Sequence, residues 1–242
     1  MHHARKVLVL LLLANSAYAQ DGEEAYRKSV DFVTQVVAVR SDWTTDTGSA
    51  VVINSKGDML TAYHVIEKAG LVSVIFPAKK ADGQVIGDAA YYTENYSKLL
   101  VPCIVVAKDS KRDLALLRPL VPKTDARSAN FATRVSPGQS LFAIGSGGDT
   151  RFRYSSGAVK QTYEGRFTTP RGTTEGAIID STTDFTPGDS GGPLMNMKGD
   201  VVGINLATEP SGIRKSIAAS EAKAFIDATL MKPTPEPVKS EK

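Results

Sequence analysis

Short β-branched segments, each closed within a few residues by Gly, Pro, Asp or Asn, recur along almost the whole chain and leave little room for long helices. Val36–Val39, Gly48–Asn54, Met59–Ala62, Val72–Phe76, Val101–Ala107 and Asp113–Leu117 carry this pattern in the first half. Ser140–Gly145, Ser156–Tyr163, Gly176–Asp180, Leu194–Asn196, Val201–Leu206 and Gly212–Ile217 carry it in the second. Strands so short cannot stand alone, and many of them at this spacing close into barrels or stack as a sandwich. Helical signals are confined to the ends. Charged helix formers from Glu23 lead into the first strand, and Ser220 can cap a last helix through about Leu230. An echo favours two similar barrels: Asn54-Ser55-Lys56-Gly57-Asp58 and Asn196-Met197-Lys198-Gly199-Asp200 each turn one strand into the next. The match is short enough to be a recurring hairpin turn instead, and both readings stand at this point.

Cys103 is the one cysteine, so neither an internal disulfide nor a Cys-rich zinc site is available, and stability must come from buried apolar area. In its apolar strand Cys103 reads as a small buried hydrophobe. Arg5, Lys6, the apolar run Val7–Leu13 and Ala17-Tyr18-Ala19 before Gln20 describe a secretory signal peptide over residues 1–19, too short to span a bilayer. Export to a periplasm or to the medium is expected, with no stable membrane insertion. Loss of the leader removes two bases from the 29 Lys and Arg and leaves one more base than the 26 acids, a balance that makes no case for nucleic acid as a partner. It also removes His2 and His3. His64 is then the only histidine, which excludes a His-cluster metal site and makes His64 the sole possible imidazole base. The expected organisation is an N-terminal helix and first barrel over 20–118, a connection over 119–135, a second barrel and C-terminal helix over 136–230, and a disordered Pro-rich tail over 231–242.

Thr186-Pro187-Gly188-Asp189-Ser190-Gly191-Gly192-Pro193-Leu194 sets one serine in a rigid Gly-rich turn that brings backbone N–H groups close to its hydroxyl. Such a hydroxyl becomes a nucleophile only with a base, an orienting acid and oxyanion donors. His64 lies just past a strand, and Asp113 stands at the mouth of the apolar strand Leu114–Leu117, with Asp109 as a nearby competitor. Three residue types, each at an element end, in local sequences that suit those roles, point to acyl transfer.

Thr61-Ala62-Tyr63-His64-Val65, Asp113-Leu114-Ala115-Leu116-Leu117 and Pro187–Leu194 resemble the three catalytic motifs of the chymotrypsin-fold serine proteases. Gly48-Ser49, Val202–Ala207 and Gly212-Ile213 ahead of Ser216-Ile217-Ala218 are similar to the bacterial HtrA/Deg-type branch. The resemblance spans roughly Val36 to Leu230. It implies an all-β fold of two six-stranded antiparallel barrels and a serine endopeptidase with no metal or organic cofactor. Polypeptide is the implied substrate, and an oligomer is compatible with it but not indicated. It also implies Ser190 as nucleophile, His64 as base and Asp113 as its orienting acid. The oxyanion turn would be Gly188, Asp189 and Ser190, with N–H donors from Gly188 and Ser190. Asp184, Asn205 and Leu206 are the residues it suggests for substrate binding.

Departures from that branch bear on specificity and regulation. Asp189 stands where HtrA-type chains usually carry Asn, and no activation site precedes the first barrel, so Asp189 is expected to accept turn hydrogen bonds or to have another partner. Asp184, six residues before Ser190, stands where trypsin-like enzymes place the acid that recognises Lys or Arg, whereas HtrA-type enzymes have an apolar pocket. The Pro-rich end carries the expectation of no PDZ domain. Ala78–Lys98 is a long polar excursion, either a functional loop or an added hairpin, and passive passage past the cleft is the favoured reading. A catalytically silent binding protein on the same scaffold is the competing function.

Overall fold

The computed structural model describes residues 22–123 and 126–231; the expected signal peptide, nearly all of the Pro-rich tail and part of the connection lie outside the described residues. Helix α1 (22–29) and a 3-10 turn at Val30–Phe32 feed β1 (Val33–Arg40). Then follow β2 (Thr45–Val52), β3 (Met59–Ala62), the single helical turn α2 (Tyr63–Ile66), β4 (Ala69–Ile75), α3 (Ala89–Glu94), α4 (Tyr96–Leu99), β5 (Val101–Asp109) and β6 (Leu114–Pro119). The six strands close antiparallel in the order β1-β2-β3-β6-β5-β4. The second barrel comprises β7 (Ser140–Gly145), β8 (Arg153–Thr169), β9 (Gly172–Ser181), β10 (Pro193–Asn196), β11 (Val201–Thr208) and β12 (Arg214–Ala218). It closes as β7-β8-β9-β12-β11-β10, the same topology six strands later. Helix α5 (Ala219–Leu230) ends the described chain. It begins one residue before Ser220 and has no side-chain cap, burying Ala219, Ala222 and Phe225 instead.

Closure lets each barrel fill its interior from alternate positions, with Leu60, Leu114 and Leu116 in the first and Leu141 and Leu194 in the second fully buried. In β1 from Val33 to Ala38 and in the second half of β2 the alternation is lost and every residue is buried, and β2 meets the second barrel where Ser49 N donates to Ser190 O (2.8 Å).

The echoed turns share their Asn side-chain bonds and their glycine conformation. Asn54 Oδ1 accepts from Lys56 N and Asp58 N, and Asn196 Oδ1 accepts from Lys198 N and Asp200 N, with Gly57 at φ +84° and Gly199 at φ +86°. They nevertheless sit at non-equivalent places, between β2 and β3 in one barrel and between β10 and β11, the counterparts of β4 and β5, in the other. The echo is therefore a recurring Asn-Gly turn chemistry and not a trace of two related halves.

The excursion after β4 is a small hairpin followed by two short helices. Beyond a small bridge between Lys79 and Val85, α3 and α4 bury Tyr92, whose hydroxyl donates to Ile86 O (2.7 Å) and accepts from Ala78 N (3.0 Å). The segment reaches the second barrel through Arg151 N to Gly87 O (2.8 Å) and the packing of Tyr92 on Phe152, ring centroids 5.6 Å apart.

Candidate active site

His64 owes its position to a strand that ends abruptly. β3 stops at Ala62, α2 follows at once, and the buried Val65 and Ile66 fix that turn against the first barrel. Tyr63 N donates to Asp113 O (3.0 Å), joining the end of β3 to the start of β6. Asp113 sits at φ +55°, a left-handed conformation that is uncommon and strained for a residue with a side chain. Two bonds hold its carboxylate: His64 N donates to Oδ1 (2.8 Å) and His64 Nδ1 lies 2.6 Å from Oδ2. Asp109, the competing acid, turns to Arg112 Nη1 (2.8 Å) and to the N–H groups of Lys111 and Arg112. Burial alone would raise the Asp109 carboxyl, but these bonds outweigh it and hold it below the ordinary range.

Ser190 rests on a type II turn. Asp189 N donates to Thr186 O (2.9 Å), Pro187 occupies the first central position and Gly188, at φ +98°, the second. A Cβ at Gly188 would stand 2.7 Å from Gly147 Cα, so both the φ and the space require glycine. Neither Gly188 N nor Ser190 N donates to a backbone carbonyl among the described residues, so both are available to an oxyanion. Asp189 N already donates to Thr186, which corrects its inclusion among the expected oxyanion residues. The Asp189 carboxylate is buried instead, accepting from Gly147 N (2.8 Å) and Thr186 N (2.7 Å) and lying 3.3 Å from Arg153 Nη2. Both sequence-level alternatives for Asp189 thus coexist. Arg153, on β8, had no signal in the sequence because nothing local ties it to Asp189.

His64, Asp113 and Ser190 line one cleft of about 230 Å³, together with Phe185, Thr186, Pro187 and Leu206. Ser190 Oγ donates to Leu206 O (3.2 Å), and His64 Nε2 is buried with no hydrogen-bond partner among the described residues. Asp184 does not line this cleft. Its neighbour Phe185 turns inward and is buried, so the Asp184 side chain points out, 70% exposed and paired with Arg214 Nη2 (2.8 Å). That geometry corrects its expected place in the pocket. Asn205 is likewise no lining residue. Fully buried, it accepts through its carbonyl from Gly191 N (2.7 Å) and donates to Gly192 O (2.9 Å), seating the serine turn on β11.

The far wall of the cleft comes from the β8–β9 hairpin, whose Phe167, Thr169, Pro170, Arg171 and Thr174 reach over to His64 and Asp113. It leans on the first barrel through Glu175 N to Lys111 O (2.8 Å) and Lys111 Nζ to Glu175 Oε2 (3.0 Å). Among the described residues no group of three or more His, Cys, Asp or Glu is arranged to hold a metal, and no helix is long and apolar enough to cross a membrane.

A family model described as the trypsin-like peptidase domain matches residues 48–204. The chain is 28% identical over 202 residues to the chloroplastic Protease Do-like 1 of Arabidopsis thaliana, covering 79% of this chain and 42% of that protein. It is 30% identical over 158 residues to a protein of Marinomonas sp. named "Probable periplasmic serine endoprotease DegP-like", covering 65% of this chain and 29% of that one. The chain therefore spans well under half the length of these curated relatives. Among solved structures, a protease of M. tuberculosis in its active form aligns with TM-score 0.70 at 18% identity over 88% of this chain and 86% of that one, a likeness of fold.

Proposed function

The chain belongs to the trypsin-like peptidase domain family, and from that premise we propose that it is an exported serine endopeptidase acting through Ser190, His64 and Asp113. The observation that supports this best is the two-point hold of Asp113 on His64, through backbone N–H and Nδ1, at a cleft that also contains Ser190. With Nδ1–H donating to Asp113, His64 Nε2 is left as the proton acceptor. Ser190 Oγ exchanges its bond to Leu206 O for one to Nε2, attacks the scissile carbonyl carbon, and passes its proton to the imidazole. Asp113 stabilises the imidazolium, which returns that proton to the leaving amine as the C–N bond breaks. Water, deprotonated by the same nitrogen, then attacks the acyl carbon, and the imidazolium gives that proton to Ser190 Oγ as the ester C–O bond breaks. Gly188 N–H and Ser190 N–H donate to the oxyanion at each tetrahedral stage, each donor contributing on the order of 3 kcal/mol in comparable sites.

Phe185 and Leu206 present apolar surface beside Ser190, while Asp184 is engaged outside, so cleavage after apolar residues is favoured over cleavage after Lys or Arg. Polypeptide is the substrate class. The leader over residues 1–19 supports export, and the periplasm suits it as it suits the DegP-like relative. The competing reading, a silent binding protein, is favoured by the Ser190 to Leu206 bond and the burial of His64 Nε2. Hydrolysis of a peptide library by the mature chain and by Ser190→Ala separates the two. Cleavage after Leu or Val that vanishes in the variant is expected, and a wild type as inactive as the variant would favour the binding protein.

A further inference from the structure

The nucleophile turn belongs to the second barrel, yet its backbone is held by one side chain of the first. Ser49 on β2 is fully buried and makes three bonds across the barrel interface. Its N–H donates to Ser190 O (2.8 Å), its hydroxyl donates to Gly188 O (2.9 Å), and the same hydroxyl accepts from Ser146 N (3.0 Å). Within the first barrel, Thr61 Oγ1 donates to Ser49 O (2.7 Å), so both the carbonyl and the N–H of Ser49 are fixed. A serine hydroxyl has a single proton. With Ser146 N–H directed at one of its lone pairs, that proton is committed to the Gly188 carbonyl.

The consequence lies in which peptide groups are pinned. Gly188 is the turn residue with no side chain to restrict it, and its positive φ is one of several conformations open to glycine. The Ser49 bond to Gly188 O fixes the peptide plane that follows Gly188. Gly192 N to Asp189 O (3.0 Å) fixes the next plane, whose N–H is that of Ser190. The Ser49 N–H bond to Ser190 O fixes the one after. The two oxyanion donors therefore flank, or lie within, a backbone held from the opposite barrel.

We propose that Ser49 is a positioning residue for the reaction, which through its hydroxyl keeps the Gly188 and Ser190 N–H groups aimed at the oxyanion. The inference rests on the serine-peptidase reading above. It predicts a specific kinetic signature, because a bond that orients oxyanion donors acts where charge develops and not where the ground state binds.

The test uses the mature chain with Ser49→Ala and Ser49→Gly, a peptide substrate, a peptide aldehyde that forms a tetrahedral adduct with the serine, and the corresponding product acid. For both variants kcat is expected to fall about 10- to 100-fold with KM within about twofold, a fraction of what removing a whole donor costs. Aldehyde affinity should fall with kcat while product affinity and the unfolding transition stay near wild type. A folded variant with wild-type kcat, or one whose aldehyde and product affinities fall together, would overturn the proposal. Loss of cooperative unfolding in both variants would overturn it equally, by making Ser49 a residue of the fold and not of the reaction. A wild type that neither turns over peptide nor binds aldehyde contradicts the peptidase reading itself, an outcome distinct from all of these.

Discussion

Gly188 shows how little latitude the site leaves at single positions. A methyl group there meets Gly147 Cα at 2.7 Å while the backbone keeps φ at +98°. Gly188→Ala should therefore cost at least about 2 kcal/mol of stability, from a strained φ and a backbone contact that cannot yield. Turnover should fall far more than that loss explains, measured as kcat beside a denaturation curve. Asp113→Asn keeps the shape of the acid but reverses the tautomer it imposes on His64, and kcat should fall by roughly 10⁴-fold. Cys103 is of the opposite kind: burial pushes its thiol up to about 12, so it should resist alkylation at pH 8 in the native chain and react once unfolded. The candidates His64, Asp113 and Ser190, which share one cleft, each stand in a local motif that the sequence displays. Arg153 and the Ser49 hydroxyl were not, since their partners lie 36 and 139 residues away.

At the scale of elements, the β8–β9 hairpin decides how enclosed the cleft is. The sequence pattern places strands at Ser156–Tyr163 and Gly176–Asp180, whereas the ladder runs on through Thr169 and back from Gly172. Beyond Val159 no residue of β8 is buried, so the extension has no apolar alternation to betray it. Phe167 is its main apolar contribution to the cleft. Phe167→Ala should raise KM for peptides about 10-fold, which corresponds to losing part of a buried aromatic contact, as read from initial rates. In the excursion after β4 the hairpin alternative matches the Lys79–Val85 bridge, whereas α3 and α4 are too short to show a helical period. Its anchor is Tyr92, and Tyr92→Phe strands the Ile86 carbonyl and the Ala78 N–H. A stability loss of about 1 to 3 kcal/mol is expected by urea titration.

Across the whole molecule, the terminal helices tie the two halves of the chain together at places besides the serine turn. Tyr26 Oη donates to Phe152 O (2.9 Å), and Arg112 Nε lies 2.5 Å from Glu221 Oε2 on α5. Buried acids add a pH dependence of definite sign. Burial would raise the Asp58 carboxyl, but Arg118 and Asn54 more than reverse that and hold it low, as Arg112 does for Asp109. A folded-state value below the unfolded one stabilises the native chain above about pH 4, and the benefit is lost as pH falls through the depressed values. Thermal unfolding should thus shift downward between about pH 4 and pH 2, and less so in Asp58→Asn. The two-barrel architecture was legible from strand spacing and motif resemblance together; the contacts that join the barrels were not, because each is made by residues unremarkable in their own segments. Reaction with a fluorophosphonate, followed by intact mass and peptide mapping, tests most directly the proposal that Ser190 is a nucleophile activated by His64. One adduct, on the peptide containing Ser190, is expected in the wild type, with none in Ser190→Ala or His64→Ala. A folded wild type that gains no adduct, or an adduct that persists in Ser190→Ala, contradicts it.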